Sequence, residues 1–218
     1  MSVTKKPRLR GWFHQWGFIG SIPLLGIAVW VGMQKSNPNV LIVAILYGLS
    51  LSALLGTSAL YHRIDWPEKR RMWMRRLDRT MIFVLIAGTY TPLGVFLYEG
   101  WFNTLTIWSL WALVVAGFLM NMVWIHAPKW IRSGLYLAAG WMGIFSFPQT
   151  FSNGHSTCGI LLLLGGLVYS LGAIFYATKR PNPLPGILGY HELFHIAVLM
   201  GALMHYIAIV AFVLPNAT

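Results

Sequence analysis

The chain has 218 residues, of which 57% are hydrophobic and only 10% are charged. A soluble domain of this size cannot usually bury so much apolar side chain, so the composition excludes an ordinary soluble protein. The net charge of +11 is compatible with nucleic-acid binding, but every basic cluster lies beside an apolar run and no soluble aromatic platform accompanies it. Anionic lipid headgroups are therefore the expected partners of these cations, and nucleic acid is not.

Seven apolar runs are long enough to cross a hydrocarbon core of ~30 Å, which takes about 20 helical residues. Backbone amides in lipid must be satisfied within their own segment, and the even hydrophobicity of the runs argues against a β-barrel. The sequence therefore predicts an all-α membrane protein with seven transmembrane helices in a single domain, residues 1–218. In chain order the predicted spans are roughly 16–33, 40–61, 80–98, 102–124, 131–148, 158–178 and 191–214.

The basic residues lie almost entirely on one side of this topology. Fifteen of the sixteen fall in a basic arm at 1–15, a basic loop at 62–79 and the fourth and sixth connections, whereas Lys35 lies on the opposite side. The positive-inside rule places the N-terminus in the cytoplasm, the C-terminus outside and the chain in the cell (inner) membrane. The fifteen are Lys5, Lys6, Arg8, Arg10, Arg63, Lys69, Arg70, Arg71, Arg75, Arg76, Arg79, Lys129, Arg132, Lys179 and Arg180.

A pair of histidines opens the last span. The proline-rich segment 181–186 must interrupt the helical structure before His191, and the next residues read His191-Glu-Leu-Phe-His195. Two imidazoles four residues apart on a helix differ by about 40° in rotation and roughly 6 Å in rise, so both can reach one metal ion. The string also matches the H-E-x-x-H pattern, in which two histidines bind zinc and the glutamate polarises a water.

Two further polar side chains belong at the same membrane depth. Span two ends on the cytoplasmic side near His62, span three begins there near Asp78, and span seven begins there at His191. This arrangement allows a three-histidine zinc site with a water in the fourth position, which Asp78 could hold. Ionisable groups inside membranes are functional candidates, although Asp78 could instead pair with Arg75 or Arg79 in the wet interface.

Several segments resemble the haemolysin III family, the bacterial branch of the progestin and adiponectin receptor superfamily. The resemblance covers nearly the whole chain, in order and at fitting spacing. It is carried by Ser-Ala-Leu-Tyr-His at 58–62, Leu-Asp-Arg-Thr-Met-Ile-Phe-Val-Leu-Ile-Ala-Gly-Thr-Tyr-Thr-Pro at 77–92, Gly-Gly-Leu-Val-Tyr at 165–169, the 191–195 string and His205-Tyr206.

The resemblance implies a seven-helix protein whose zinc is held by His62, His191 and His195. The superfamily's aspartate on span three maps to Asp78, and its serine on span two maps to Ser58. Adiponectin receptors are similar to alkaline ceramidases, so hydrolysis of a lipid amide, such as ceramide or another fatty-acyl substrate, is the implied activity. The family name records a cytolytic phenotype, and a role in membrane lipid homeostasis is also suggested.

These residues lead to a hypothesis of a zinc-dependent hydrolase of a lipid amide or ester. In it Asp78 orients the attacking water, and Ser58, one turn before His62, bonds the oxyanion, the water or only its own i−4 carbonyl. The alternative is a zinc-stabilised receptor or lipid sensor, or a cytolytic pore, in which four protein ligands close the site. An intramembrane protease is less well supported, because no Leu-Asp-Gly segment supplies the third ligand.

Three other ionisable residues lie outside this predicted site. Glu192 is expected to face the wet loop, and a catalytic role is the less favoured alternative. His205 lies roughly 15 Å deeper on the face of His191, where a structural or cavity-lining role is expected. His14 falls in the basic arm and receives no role.

Overall fold

The computed structural model describes residues 7–152 and 154–217, and within these ranges it contains helices and no β-strand. Lys5 and Lys6 of the predicted basic arm lie outside the described residues. In the described ranges the α-helices are α1 (Trp12–Met33), α2 (Pro38–Arg63), α3 (Glu68–Phe96), α4 (Trp101–Val123), α5 (Lys129–Trp141), α6 (Pro148–Ser152), α7 (Ser156–Thr178) and α8 (Tyr190–Ala208). A π-helical turn, Ile209–Val213, and a 3-10 turn, Leu214–Asn216, continue α8.

Six helical segments are long and apolar enough to cross a membrane: α1, α2, α3, α4, α7 and α8 with its continuation. The prediction of an all-α, multi-pass membrane protein is therefore confirmed. The fifth predicted span, 131–148, is divided into α5, a 3-10 turn at Met142–Phe145 and the first residue of α6. At helical rises of about 1.5 and 2.0 Å per residue, α5 and this turn are together roughly 28 Å long. They are not among the six segments named above, so a seventh crossing stays a prediction.

The prediction of a long basic loop at 62–79 is wrong. Helix α2 continues to Arg63 and α3 begins at Glu68, which leaves only residues 64–67 between them. The basic stretch is rich in Lys, Arg, Met and Glu, all good helix formers, and Pro67 precedes its first turn. His62 and Asp78 are consequently held on helices and not on a flexible connection.

Helices α1, α2, α3, α5, α7 and α8 pack against one another in a closed ring. Helix α2 packs against α1 and α3, α8 packs against α7 and α1, and α5 bridges α3 and α7, while α4 lies against α3. Helices α7 and α8 approach each other closely at Gly165, which has no side chain. A Cβ at this position would lie only 2.4 Å from Cδ2 of His205 and 3.2 Å from the Gly201 carbonyl oxygen. The glycine-rich face of α7 therefore packs against α8 of the same chain.

The two ends of the bundle differ in charge in the way the sequence predicts. At one end Arg63 Nε donates to Gln15, and Lys129 Nζ donates to the Tyr190 hydroxyl. These bonds place basic residues from both halves of the chain at the same end. At the other end Lys35 Nζ donates to the Pro215 carbonyl. Which end faces the cytoplasm stays a prediction.

Candidate metal centre

Three histidines meet at the basic end of the bundle. His62 lies in the last turn of α2, whereas His191 and His195 occupy the first two turns of α8. One ligand nitrogen from each ring lies within 4.8 Å of the other two, and the two Nε2 atoms of His62 and His191 are 3.2 Å apart. The structure therefore brings the three predicted ligands into one cluster that could hold a metal ion.

The donor groups of the cluster fit zinc, and the His62–His191 pair has the separation expected of two zinc ligands. Nitrogens bound tetrahedrally at Zn–N lengths of about 2.0–2.1 Å are roughly 3.3 Å apart, close to the separation of the His62 and His191 nitrogens. His195 is almost completely buried, and within the described ranges its Nδ1 has no hydrogen-bond partner. Such a buried polar atom is costly unless something satisfies it. Three imidazoles without a carboxylate in the group suit zinc better than a hard cation such as magnesium.

Asp78 and Ser58 lie beside this cluster and contact each other. Both line the cavity that the histidines also line, and the buried Ser58 side chain neighbours the Asp78 carboxylate across the α2–α3 packing. Asp78 is not a member of the three-histidine group. Arg10–Glu192 is the salt bridge among the described residues, so Asp78 forms none with its basic neighbours there. Arg75 Nε donates to the Tyr61 hydroxyl at 3.0 Å, and Arg79, which acts on Asp78 electrostatically, donates to the Ile125 carbonyl.

Glu192 does not face the wet loop, so that prediction is wrong. Its side chain is fully buried, and its Oε2 accepts the Gly189 backbone N–H at 2.9 Å. Its Oε1 accepts Nε of Arg10 at 2.5 Å. A carboxylate at a helix N-terminus satisfies orphan N–H groups and favours the helix dipole, so Glu192 caps α8 and ties the N-terminal segment to it.

Replacing Glu192 by alanine is expected to destabilise the protein by about 3 kcal/mol, because Arg10 loses its buried partner and α8 loses its cap. Thermal unfolding in detergent measures the change. The matched control is Glu68→Ala, which removes an exposed acid from the first turn of α3 and should cost no more than about 0.5 kcal/mol. Equal stability of the two variants would contradict the capping role.

His14, which received no role from the sequence, lies inside the site. It is 2% exposed, and its ring stacks on that of His195 with centroids 3.8 Å apart and planes 6° apart. Gly11 allows the segment before α1 to approach the end of α2. Its φ is +77°, and a Cβ at this position would lie 2.6 Å from Cβ of His62. The sequence gives no signal for this contact, because it depends on the packing of α1 against α8.

A cavity of about 360 Å³ extends from the histidine cluster into the bundle. Its deeper part includes His205, whose Nε2 is 3.0 Å from the Leu162 carbonyl oxygen and whose ring meets that of Tyr169 at 5.3 Å. The prediction of a structural or cavity-lining role for His205 is confirmed on both counts. Most other groups there are apolar, among them Leu54, Ile86, Leu93, Leu110, Leu162 and Val198.

Comparison with known proteins identifies similar chains along most of this length. A family model described as Haemolysin-III related matches residues 2–206, a range that contains all three histidines, Ser58 and Asp78. The chain is 30% identical over 207 residues to Hemolysin-3 of Bacillus cereus, covering 94% of this chain and 90% of that protein. It is 28% identical over 189 residues to a Hemolysin-3 homolog of Bacillus subtilis, covering 87% and 85%. The human monocyte to macrophage differentiation factor is 26% identical over 181 residues, covering 77% and 69%.

Proposed function

Because the chain belongs to the haemolysin-III-related family, we propose that it is a zinc-dependent membrane hydrolase that cleaves a lipid amide or ester, as a ceramidase does. The observation that carries the proposal is the three-histidine cluster opening onto an apolar cavity, with Asp78 beside the cluster and outside it. A catalytic zinc site has three protein ligands and an open position, and a cavity of this character accommodates an acyl chain.

His62, His191 and His195 would hold the zinc ion, which when bound supplies Lewis-acid chemistry by activating water and polarising a carbonyl. Asp78 accepts the proton of the attacking water and delivers it to the leaving group. The Ser58 hydroxyl fixes the orientation of that carboxylate. Apolar side chains such as Leu93 and Val198 bind the acyl chain and exclude bulk water from the reacting bond.

We also propose the placement of the protein in the cell membrane. The basic end, which carries the histidine cluster, faces the cytoplasm, and its exposed cations contact anionic headgroups. A lipid substrate then reaches the histidine cluster from the cytoplasmic leaflet. Hydrolysis of that lipid serves membrane lipid homeostasis.

The test combines zinc content and turnover on one purified sample. We expect one zinc per chain and hydrolysis of ceramide or a simpler N-acyl amide, loss of both after chelation, and recovery of both when zinc is returned. Stoichiometric zinc without turnover on any of these substrates would contradict the hydrolase and favour the zinc-stabilised receptor or sensor. Absence of zinc would contradict both.

A further inference from the structure

Basic side chains line the cavity near the histidine cluster. Four cationic side chains line the cavity together with the histidine cluster, and Asp78 is the acidic side chain among its described lining residues. One of the four is already compensated, since Arg10 pairs with Glu192. The remaining three define a cationic rim formed by Arg75, Arg79 and Lys129.

Among the described residues, the hydrogen-bond and ring contacts of these three side chains are with neutral groups, and the Asp78 carboxylate acts electrostatically on Arg79 alone of the three. Arg75 Nε donates to the Tyr61 hydroxyl, Arg79 to the Ile125 carbonyl, and Lys129 Nζ to the Tyr190 hydroxyl at 2.8 Å. The Lys129 ammonium also lies over the rings of Tyr176 and Tyr190, at 4.5 and 4.6 Å from their centroids. Hydroxyls, carbonyls and rings orient a cation, but they do not neutralise its charge.

A further guanidinium beside the rim increases the local excess of positive charge. Arg132 on α5 is 4% exposed, and its Nη1 donates at 3.3 Å to the same Ile125 carbonyl that Arg79 contacts. Two like charges meeting on one carbonyl oxygen repel each other, and the repulsion is stronger where water is scarce. An anion at the rim would offset it.

The rim is adjacent to the histidine cluster. The Tyr61 ring, whose hydroxyl accepts from Arg75, is 4.6 Å from the His62 ring, and the Tyr176 ring beneath Lys129 is 5.8 Å from the His191 ring. An anionic group bound by the rim therefore lies close to the histidine cluster, where the amide or ester bond of the same ligand would be cleaved.

We propose that the rim of Arg75, Arg79 and Lys129 binds an anionic group, a carboxylate or a phosphate, of an amphiphile whose acyl chain enters the cavity. Guanidinium groups bind both anions through paired N–H bonds, and the apolar lining behind them fits a hydrocarbon chain. The ligand class is thus an acyl amide or ester with its negative charge close to the linkage. This inference names the ligand of the cavity on which the proposed function rests.

The experiment measures binding and not turnover, so that its failure is separate from failure of the hydrolase. Metal-stripped protein in nanodiscs of phosphatidylcholine is titrated with N-dodecanoylglycine and with N-dodecanoylethanolamine, which has a hydroxyl in place of the carboxylate. Stripping the metal removes zinc as an alternative anion site. We expect the anionic probe to bind at least about tenfold more tightly, as charged hydrogen bonds allow.

The variant that tests the rim is Arg75→Gln with Arg79→Gln, and the control is Arg71→Gln, an exposed arginine on the same helix. The rim variant should lose the tenfold preference while its affinity for the neutral probe stays unchanged, which also shows that the cavity is intact. The control should keep the preference. Equal affinity for both probes in the native chain, or a preference that survives in the rim variant, would overturn the proposal. Inorganic phosphate binding as tightly as N-dodecanoylglycine would overturn the amphiphilic ligand and assign the rim to a free anion.

Discussion

Replacing His195 by alanine is expected to abolish stoichiometric zinc binding. The variant leaves two imidazoles, His62 and His191, at the centre of the cluster, and two ligands do not complete a zinc site. The affinity should fall by more than the roughly 10–100-fold that loss of a ligand's hydrogen-bonding partner costs. Metal analysis of the purified native and variant proteins, after dialysis against the same zinc buffer, measures the difference.

The matched control for this substitution is His126→Ala. His126 is an exposed histidine in the turn after α4, away from the cavity lining, so its loss should leave the zinc content at one per chain. Full zinc occupancy in the His195 variant would show that the ion is bound elsewhere. Parallel loss of zinc in both variants would point to misfolding, which the thermal unfolding curve of each sample detects.

Replacing Asp78 by asparagine is expected to leave zinc bound and to lower turnover by about 10²–10⁴-fold, the usual contribution of a general base. Asparagine keeps the size of the side chain and can still accept from Ser58, but it cannot take a proton from water. Zinc content and the rate of lipid amide hydrolysis are measured on the same sample. The expected combination, full zinc with little turnover, separates Asp78 from the three histidines.

A Ser58→Ala variant provides the graded comparison for Asp78. Because Ser58 acts by orienting the carboxylate, its loss should cost less than loss of the carboxylate itself. If Asp78→Asn also removed the zinc, Asp78 would be a ligand, and the site would match the closed four-ligand arrangement of a structural metal. Unchanged turnover in the Asp78 variant would remove it from the catalytic mechanism.

The literal H-E-x-x-H string shows how a correct motif can include a misleading residue. His191 and His195 converge because a helical spacing of four brings two side chains to one face. Glu192 is on a different face, and the adjacent chain end decides its role: its two oxygens accept from Gly189 and Arg10. The glutamate of this string therefore caps a helix, although the same string in soluble zinc enzymes supplies a base.

The sequence by itself determined the membrane class, the helical character and the identities of the three clustered histidines. Long apolar runs must be helical in lipid, since no water is there to satisfy the backbone, and this holds whatever the neighbours are. The depth of His62, Asp78 and His191 followed from the alternation of spans alone. These features depend on local pattern and on the membrane, so they can be read before any packing is known.

Only the tertiary structure decided which side chains surround that cluster. His14 stacks on His195, Arg10 pairs with Glu192, and Ser58 lies beside Asp78, in each case across two segments that pack together. The helical extension of α3 down to Glu68 likewise replaced an expected loop and fixed Arg75 and Arg79 in the cavity lining. Contacts of this kind depend on the rotation and approach of helices far apart in sequence, and a hydrophobic pattern carries no information about either.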